Sequence, residues 1–334
     1  MSLGLSNVGH RAGPLSRRRD RAVAGGAWYS RQEAIMGTPV RVELWSETRA
    51  AAEAAMAAVM AEMHRIDRAM SPHKADSELS RLNRDAANGP VPVSDELYEL
   101  IARSMAFSEL SGGAFDITYA AVGHLYDYRR RVRPTEEAVE QARAAVGYRH
   151  LLLDPHSRSV RFARAGVRID LGGFAKGHAV DKSIAILKAA GIRHAMVSAG
   201  GDSHVLGDRR GRPWTIAVRD PRRPGEVVAV LPLEDVSIST SGDYERFFEH
   251  GQVRFHHLID PRTGRSPSSV RSVTILAPDG LTSEGLSKSV FMLGVEQGLQ
   301  LVESMPGVDA VVVDADGVLH SSSGLLPGGG TPQP

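Results

Sequence analysis

The chain has 334 residues, of which 42% are apolar and 24% charged, enough for one large domain or two smaller ones with a real core. Lysine and arginine total 40 against 39 acids, a net charge of +1, which gives no support for a nucleic-acid partner across the surface. There is no cysteine, which excludes disulfides, thiolate metal sites, a cysteine nucleophile and cysteine-linked lipid anchoring. No stretch is apolar for long enough to span a membrane.

Residues 1–29 read as a flexible basic leader containing Arg17-Arg18-Arg19-Asp20-Arg21. The pair after Ser16 has the look of a twin-arginine export signal. The stretch that follows, 22–27, is too short and glycine-rich for the apolar core of one. As written, the expected location is cytoplasmic. Val40 to Trp45 alternates apolar and polar side chains and predicts a strand. Residues 48–70 are alanine-rich with apolar residues at Ala52, Met56, Val59, Met63 and Ile66, which is helical spacing. Residues 94–111 predict a second helix with Ser94 as N-cap and Asp95 and Glu96 in the first turn, ended by Gly112-Gly113. A third is expected over 135–146.

From residue 150 the pattern changes to short strands at 150–153, 159–162 and 167–171, then a helix over 175–190 closed by Gly191. Further strands are expected at 195–197, 214–218, 227–233, 237–239, 270–277 and 310–313, with one helix over 283–305. Strands in hairpin spacing mixed with helices predict an α+β fold of mixed layers. With no linker inside it, residues 30–321 read as a single domain, and 322–334 as a flexible tail.

Several segments have the composition of a site. Asp170-Leu171-Gly172-Gly173-Phe174-Ala175-Lys176-Gly177 is a strand, a glycine-rich turn and a helix start, where backbone N–H groups can meet an anion. The alternative for this segment is a tight turn with a solvated Lys176. Gly200-Gly201-Asp202 reads as a strand-end turn. Ser239-Thr240-Ser241-Gly242-Asp243-Tyr244 offers hydroxyls either to a phosphate or as the cap of a helix starting at Tyr244. His257 lies on a turn with Asp260 and Arg262 and is a candidate general base. Ser111 to Thr118 is either a pocket edge or a helix C-cap. Residues 282–289 read Thr-Ser-Glu-Gly-Leu-Ser-Lys-Ser: the carboxylate of Glu284 and its small oxygen-bearing neighbours suit a hard cation, and Lys288 sits one helical turn later.

These pieces, with Met36-Gly37-Thr38, Ser71-Pro72 and Ser77 to Asn83, occur in one order over roughly residues 34–320. The series resembles the ApbE family, the FAD:protein FMN transferases once described as thiamine-biosynthesis lipoproteins. The resemblance implies an ApbE-like α+β domain that binds FAD and, with magnesium, attaches FMN to a threonine of an acceptor protein. It further implies His257 as the base, Arg262 as a support of its turn, and flavin and adenine contacts along Met36, Ala114, Phe115, Asp116, Asp170, Lys176 and Leu258. His73 stands where the family usually has an aromatic residue. The implied metal site comprises Gly173, Glu284, Ser287 and the position of Lys288. There the family has aspartate where this chain has Glu284, and threonine where it has Lys288, which cannot ligate while charged. Magnesium binding and an FAD-binding pseudo-transferase that has lost its metal therefore remain alternatives. Family members are often exported, so a periplasmic or membrane-associated location also stands.

Overall fold

Residues 25–251 and 253–325 are described by a computed structural model; the leader over 1–24 and the tail from 326 lie outside them. The chain opens with an antiparallel pair, β1 (Ala27–Ile35) and β2 (Thr38–Ser46). The first strand begins three residues ahead of the boundary expected at 30. Alternation in β2 does what the sequence requires. Val40, Val42 and Leu44 are fully buried under α1 (Arg49–Met70), while Trp45 on the other face meets Trp28 edge to face at 5.8 Å. Thr48 caps α1. The next elements are α2 (Glu78–Asp85), β3 (Val91–Pro92) and α3 (Asp95–Leu110), the last capped by Ser94 as expected. Then come the short α4 (Ala120–Gly123), α5 (Glu136–Arg143), β4 (Leu151–Asp154) and β5 (Ser159–Phe162).

The strand expected over 167–171 is an extended segment outside the sheets. Its backbone is held by a side chain instead: Asn83 donates to the Ile169 carbonyl at 2.9 Å and accepts from the Ile169 N–H at 2.8 Å. One amide thus replaces a ladder partner.

The second half builds the large sheet and the two helices at its centre. Helix α6 (Ala175–Ala189) leads into β6 (Ala195–Ala199) and β7 (Asp202–Leu206). A hairpin follows, β8 (Trp214–Arg219) with β9 (Val227–Leu233), and then β10 (Val236–Gly242), β11 (Phe247–His250), β12 (Val253–His256) and β13 (Val270–Ala277). No helix starts at Tyr244, which lies in the turn before β11. The helix expected over 283–305 is two helices, α7 (Gly280–Leu293) and α8 (Val295–Glu303). Gly294 breaks it at φ 82°, a backbone conformation that favours glycine. β14 (Asp309–Asp314) and β15 (Leu319–Ser321) finish the sheet, whose order is β1-β2-β6-β7-β10-β13-β14-β15 with every pair antiparallel.

Helices α1, α6, α7 and α8 cover one face of this sheet. The β8–β9 hairpin covers part of the other, with Trp214 buried against Val205, Ile238 and Leu276. The fold is α+β. Among the described residues no helix is long and apolar enough to cross a membrane.

At the centre, α6 and α7 cross almost backbone to backbone. A Cβ on Gly177 would stand 2.6 Å from the carbonyl carbon of Gly280, and one on Gly280 would stand 2.5 Å from the Gly177 oxygen. Neither fits, because the obstacle is backbone and cannot swing aside. Gly177→Ala should therefore lower the unfolding free energy by about 2–3 kcal/mol through overpacking, read from urea denaturation. An unchanged midpoint would mean the crossing is looser than described.

Candidate active site

Helix α6 begins without a cap of its own: Phe174 at its N-cap offers no side-chain acceptor. The missing acceptor comes from α7. Glu284, fully buried, accepts the Gly177 N–H on Oε2 at 2.7 Å, placing a carboxylate where the helix dipole favours one. The debt is returned in the other direction: Asp181 of α6 accepts the N–H groups of Gly280 and Leu281 at 2.6 and 3.0 Å, at the start of α7. Burial is the main influence on Asp181 and carries its pKa up to about 6, against the pull of those two N–H groups.

The capping carboxylate is also the floor of a charged cluster. Lys176 donates to Glu284 Oε1 at 2.5 Å and to Asp202, the first residue of β7. Burial alone would lower the Lys176 pKa, but Asp202 and Glu284 outweigh it and the ammonium is held well above its usual range. For Asp202, burial raises the pKa, yet Lys176 and Lys288 overcome this and hold it low. Lys288 reaches Glu284 Oε1 at 3.4 Å. Its stem lies along Gly173, where a Cβ would be 3.4 Å from the lysine Cε. Burial lowers the Lys288 pKa, with Glu284 and Asp202 opposing.

The register of β10 completes the floor. Odd-numbered residues face the helices, so Ser239 and Ser241 present their hydroxyls to Ser287 at 3.1 and 2.9 Å. Ser239 also donates to Asp202 at 2.5 Å. Ser287 donates to the Glu284 carbonyl at 2.9 Å, a bond within α7 that satisfies a buried hydroxyl.

His257 follows β12. Burial, then His256, Arg246, Lys288 and Lys176, bring its pKa down to about 3, so the ring is neutral at physiological pH. Its Nδ1 is buried without a hydrogen-bond partner among the described residues. Asp170 accepts the Gly172 N–H at 2.6 Å. Burial raises its pKa, against that N–H and the nearby charges of His73, Arg168 and Arg246. Tyr119 is raised by burial and by Asp170. Met36 sits at the β1–β2 turn with φ 54°, a strained conformation for a non-glycine residue.

The structure therefore brings together Gly173, Lys176, His257, Glu284, Ser287 and Lys288, with Asp170 and His73 beside them. Other expected site residues have local partners. Phe115 packs on Phe107 and Phe174 with ring centroids at 6.0 and 5.4 Å, and Ala114 and Leu258 are buried in the main core. Asp116 accepts from Thr118 N, Thr118 Oγ1 and Tyr148 N at 2.8, 2.6 and 2.6 Å. Arg262 pairs with Asp260 at 2.9 Å and donates to the Met292 carbonyl at 2.7 Å, near the end of α7. Sequence reading offered the Ser239 hydroxyl to a phosphate or a helix cap, took Asp202 for part of a strand-end turn, and missed Tyr119 as a site residue. Asp202 carried a signal, being an acid directly after a glycine pair at a strand end; Tyr119 carried none.

Ammonium groups held behind a glycine-rich helix start, near a neutral histidine, make a positively charged floor in an α+β protein, of a kind that suits phosphate oxygens. The chain belongs to the ApbE family, whose sequence profile matches residues 36–312. A Treponema pallidum protein named FAD:protein FMN transferase is 35% identical over 319 residues, covering 89% of this chain and 88% of that one. The crystal structure of the ApbE protein from Thermotoga maritima aligns with a TM-score of 0.81 at 34% identity, over 89% of this chain and 97% of its own. The flavin transferase ApbE from Vibrio cholerae aligns at 0.81 and 28%, over 89% and 98%.

Two measurements test this geometry. Lys176→Met should destabilise the fold by about 3–5 kcal/mol, because it strips two buried carboxylates of their shared cation; thermal unfolding reads it. For Asp181 the folded pKa is raised, so its stabilising contribution is present below the unfolded value and is lost as pH rises through about 6. The stability advantage of wild type over Asp181→Asn should therefore shrink between pH 4.5 and 7.5, by about 2 kcal/mol. A pH-independent difference in urea midpoints would contradict the assignment.

Proposed function

We propose that the chain is an FAD:protein FMN transferase, which cleaves FAD and joins FMN by a phosphoester to a threonine of an acceptor protein, releasing AMP. The observation that carries this reading is the Lys176–Glu284–Lys288 cluster beside His257, set in a chain whose relatives across most of its length bear that activity in their names. A flavin carrier without turnover is not favoured by those relatives.

In the reaction, the acceptor threonine oxygen forms a bond to the phosphorus on the FMN side of the pyrophosphate. The bond from that phosphorus to the bridging oxygen breaks, and AMP leaves with the oxygen and its electron pair. The threonine proton passes to His257. A ring with a pKa of about 3 is unprotonated and ready to accept, and the arriving phosphate charges raise its basicity. Phosphoryl transfer asks for positioning and charge neutralisation more than covalent chemistry, and the ammonium of Lys176, fixed by two carboxylates, supplies a pre-oriented positive charge. Arg262 acts at one remove, tying the turn after His257 to α7. The flavin and adenine parts lie along Met36, His73, Ala114, Phe115, Asp116, Asp170 and Leu258, through backbone groups where the side chains are already engaged.

Magnesium, which the family implies, does not fit the donors as they stand. Among the described residues no group of three or more His, Asp or Glu side chains is placed to hold a metal ion. Both oxygens of Glu284 are engaged, by Lys176 and Lys288 on one side and the Gly177 N–H on the other. A divalent cation about 4 Å from the Lys288 ammonium would meet a repulsion of about 8 kcal/mol at an effective dielectric of 20.

The test is direct. Incubated with FAD and an extract of the source organism, the chain should produce a protein band with covalent flavin fluorescence, FMN-phosphothreonine by mass spectrometry, and AMP by chromatography. His257→Asn should slow AMP release by about 10²- to 10⁴-fold. Intact FAD and no flavinylated band would sink the proposal.

A further inference from the structure

We infer that Lys288 is the built-in cation of this site, taking the pyrophosphate of FAD in place of a divalent metal, so that FAD binding and cleavage proceed without one. The inference rests on the transferase reading and specifies its cofactor requirement.

Three observations carry it. The first is position. The Lys288 stem fills the space beside Gly173, where an added Cβ would stand 3.4 Å from the lysine Cε, and its ammonium lies 3.4 Å from Glu284 Oε1. It therefore occupies the space between the glycine turn and the buried carboxylate, where an ion serving both would sit. The second is valence. An ammonium has three donors, and the single hydrogen bond of Lys288 among the described residues is the long one to Glu284. Two donors remain for phosphate oxygens. Lys176, by contrast, is pinned by Asp202 and Glu284 together and stays a fixture of the floor.

The third is charge balance. Asp202 and Glu284 contribute two negative charges, and Lys176 and Lys288 two positive ones. The cluster is neutral as built, and an added divalent ion would leave it doubly positive. Removing the Lys288 charge would leave it with one net negative charge, a cluster that attracts a cation. A lysine is an effective partner for phosphate as a point charge, although it lacks the fixed octahedral geometry of magnesium.

The experiment uses the full chain and three measurements. Wild type should bind FAD, followed by flavin fluorescence, with a Kd unchanged within twofold by EDTA. It should release AMP equally with EDTA or with magnesium, and should show no saturable manganese signal by electron paramagnetic resonance. Lys288→Thr should weaken FAD binding tenfold or more in EDTA, recover it with magnesium, and acquire a saturable manganese site. Lys288→Arg, which keeps the charge, should retain chelator-insensitive FAD binding and guards against loss of fold in the threonine variant. A tenfold loss of FAD binding or AMP release by wild type in EDTA, or saturable manganese uptake by it, overturns the inference. So does a Lys288→Thr protein that binds FAD in EDTA as well as wild type. The two readings fail separately. A chain that flavinylates its acceptor only with magnesium keeps the transferase assignment and loses this one. A chain that holds FAD regardless of chelator but never releases AMP loses the transferase assignment and metal-free cleavage with it, and keeps only Lys288 as the metal-free binder of the pyrophosphate.

Discussion

Everything in the site hangs on the exchange of carboxylates between α6 and α7. Each helix starts with backbone donors that a buried helix cannot leave unmet, and each draws an acceptor from the other. Glu284 reaches back to Gly177, and Asp181 reaches forward to Gly280 and Leu281. The reach is short enough only because the helices touch through Gly177 and Gly280, with no side chain between them. Packing and electrostatics are one constraint here, since widening the crossing by a methyl group would pull the carboxylate off the helix it caps.

A buried carboxylate needs a cation as well as N–H donors, and this need turns a structural device into a chemical one. Lys176 follows the glycine turn at the start of α6, so the helix that Glu284 caps also carries its counter-ion. Asp202 arrives from β7 to share it. Antiparallel pairing of β7 with β10 sets Ser239 opposite Asp202, which brings a hydroxyl to the acid and continues the polar floor through Ser241 to Ser287. The result is a patch of fixed charge whose lysines act on His257 and whose Glu284, with Asp170, acts on Tyr119. Such preorganisation is what a reaction dominated by charge stabilisation requires.

His257 illustrates how the same enclosure sets protonation. Two histidines, two lysines and an arginine crowd one region, and burial adds to their mutual repulsion, so the imidazole sheds its proton. The neutral ring and the charged Lys176 are two outcomes of one environment, separated by whether a carboxylate is within reach. Lys288 lies between these extremes, paired loosely and on one side only, which is why it is the group in the cluster with capacity left for a ligand.

Local patterning determined much of this protein. The cap Ser94, the amphipathic spacing of α1, and the alternation of β2 each follow from a few adjacent residues, and the structure shows them where they were expected; Thr48 and Thr135, where helices were expected to begin, turn out to be caps as well. The order of motifs carried the family and most of the candidate site. Long-range pairing decided the rest. Residues 167–171 had strand composition but found Asn83 instead of a strand, and the apolar period of 283–305 ran through Gly294 without showing the break. The sequence placed Lys288 one turn after Glu284; it could not show that Glu284 and Asp202 would already share Lys176, because the separations of 108 and 26 residues are closed only by the sheet and the glycine crossing. Charge compensation depends on distances across the whole fold, and for that reason the tertiary structure alone set which ammonium is held by two carboxylates and which by one long bond.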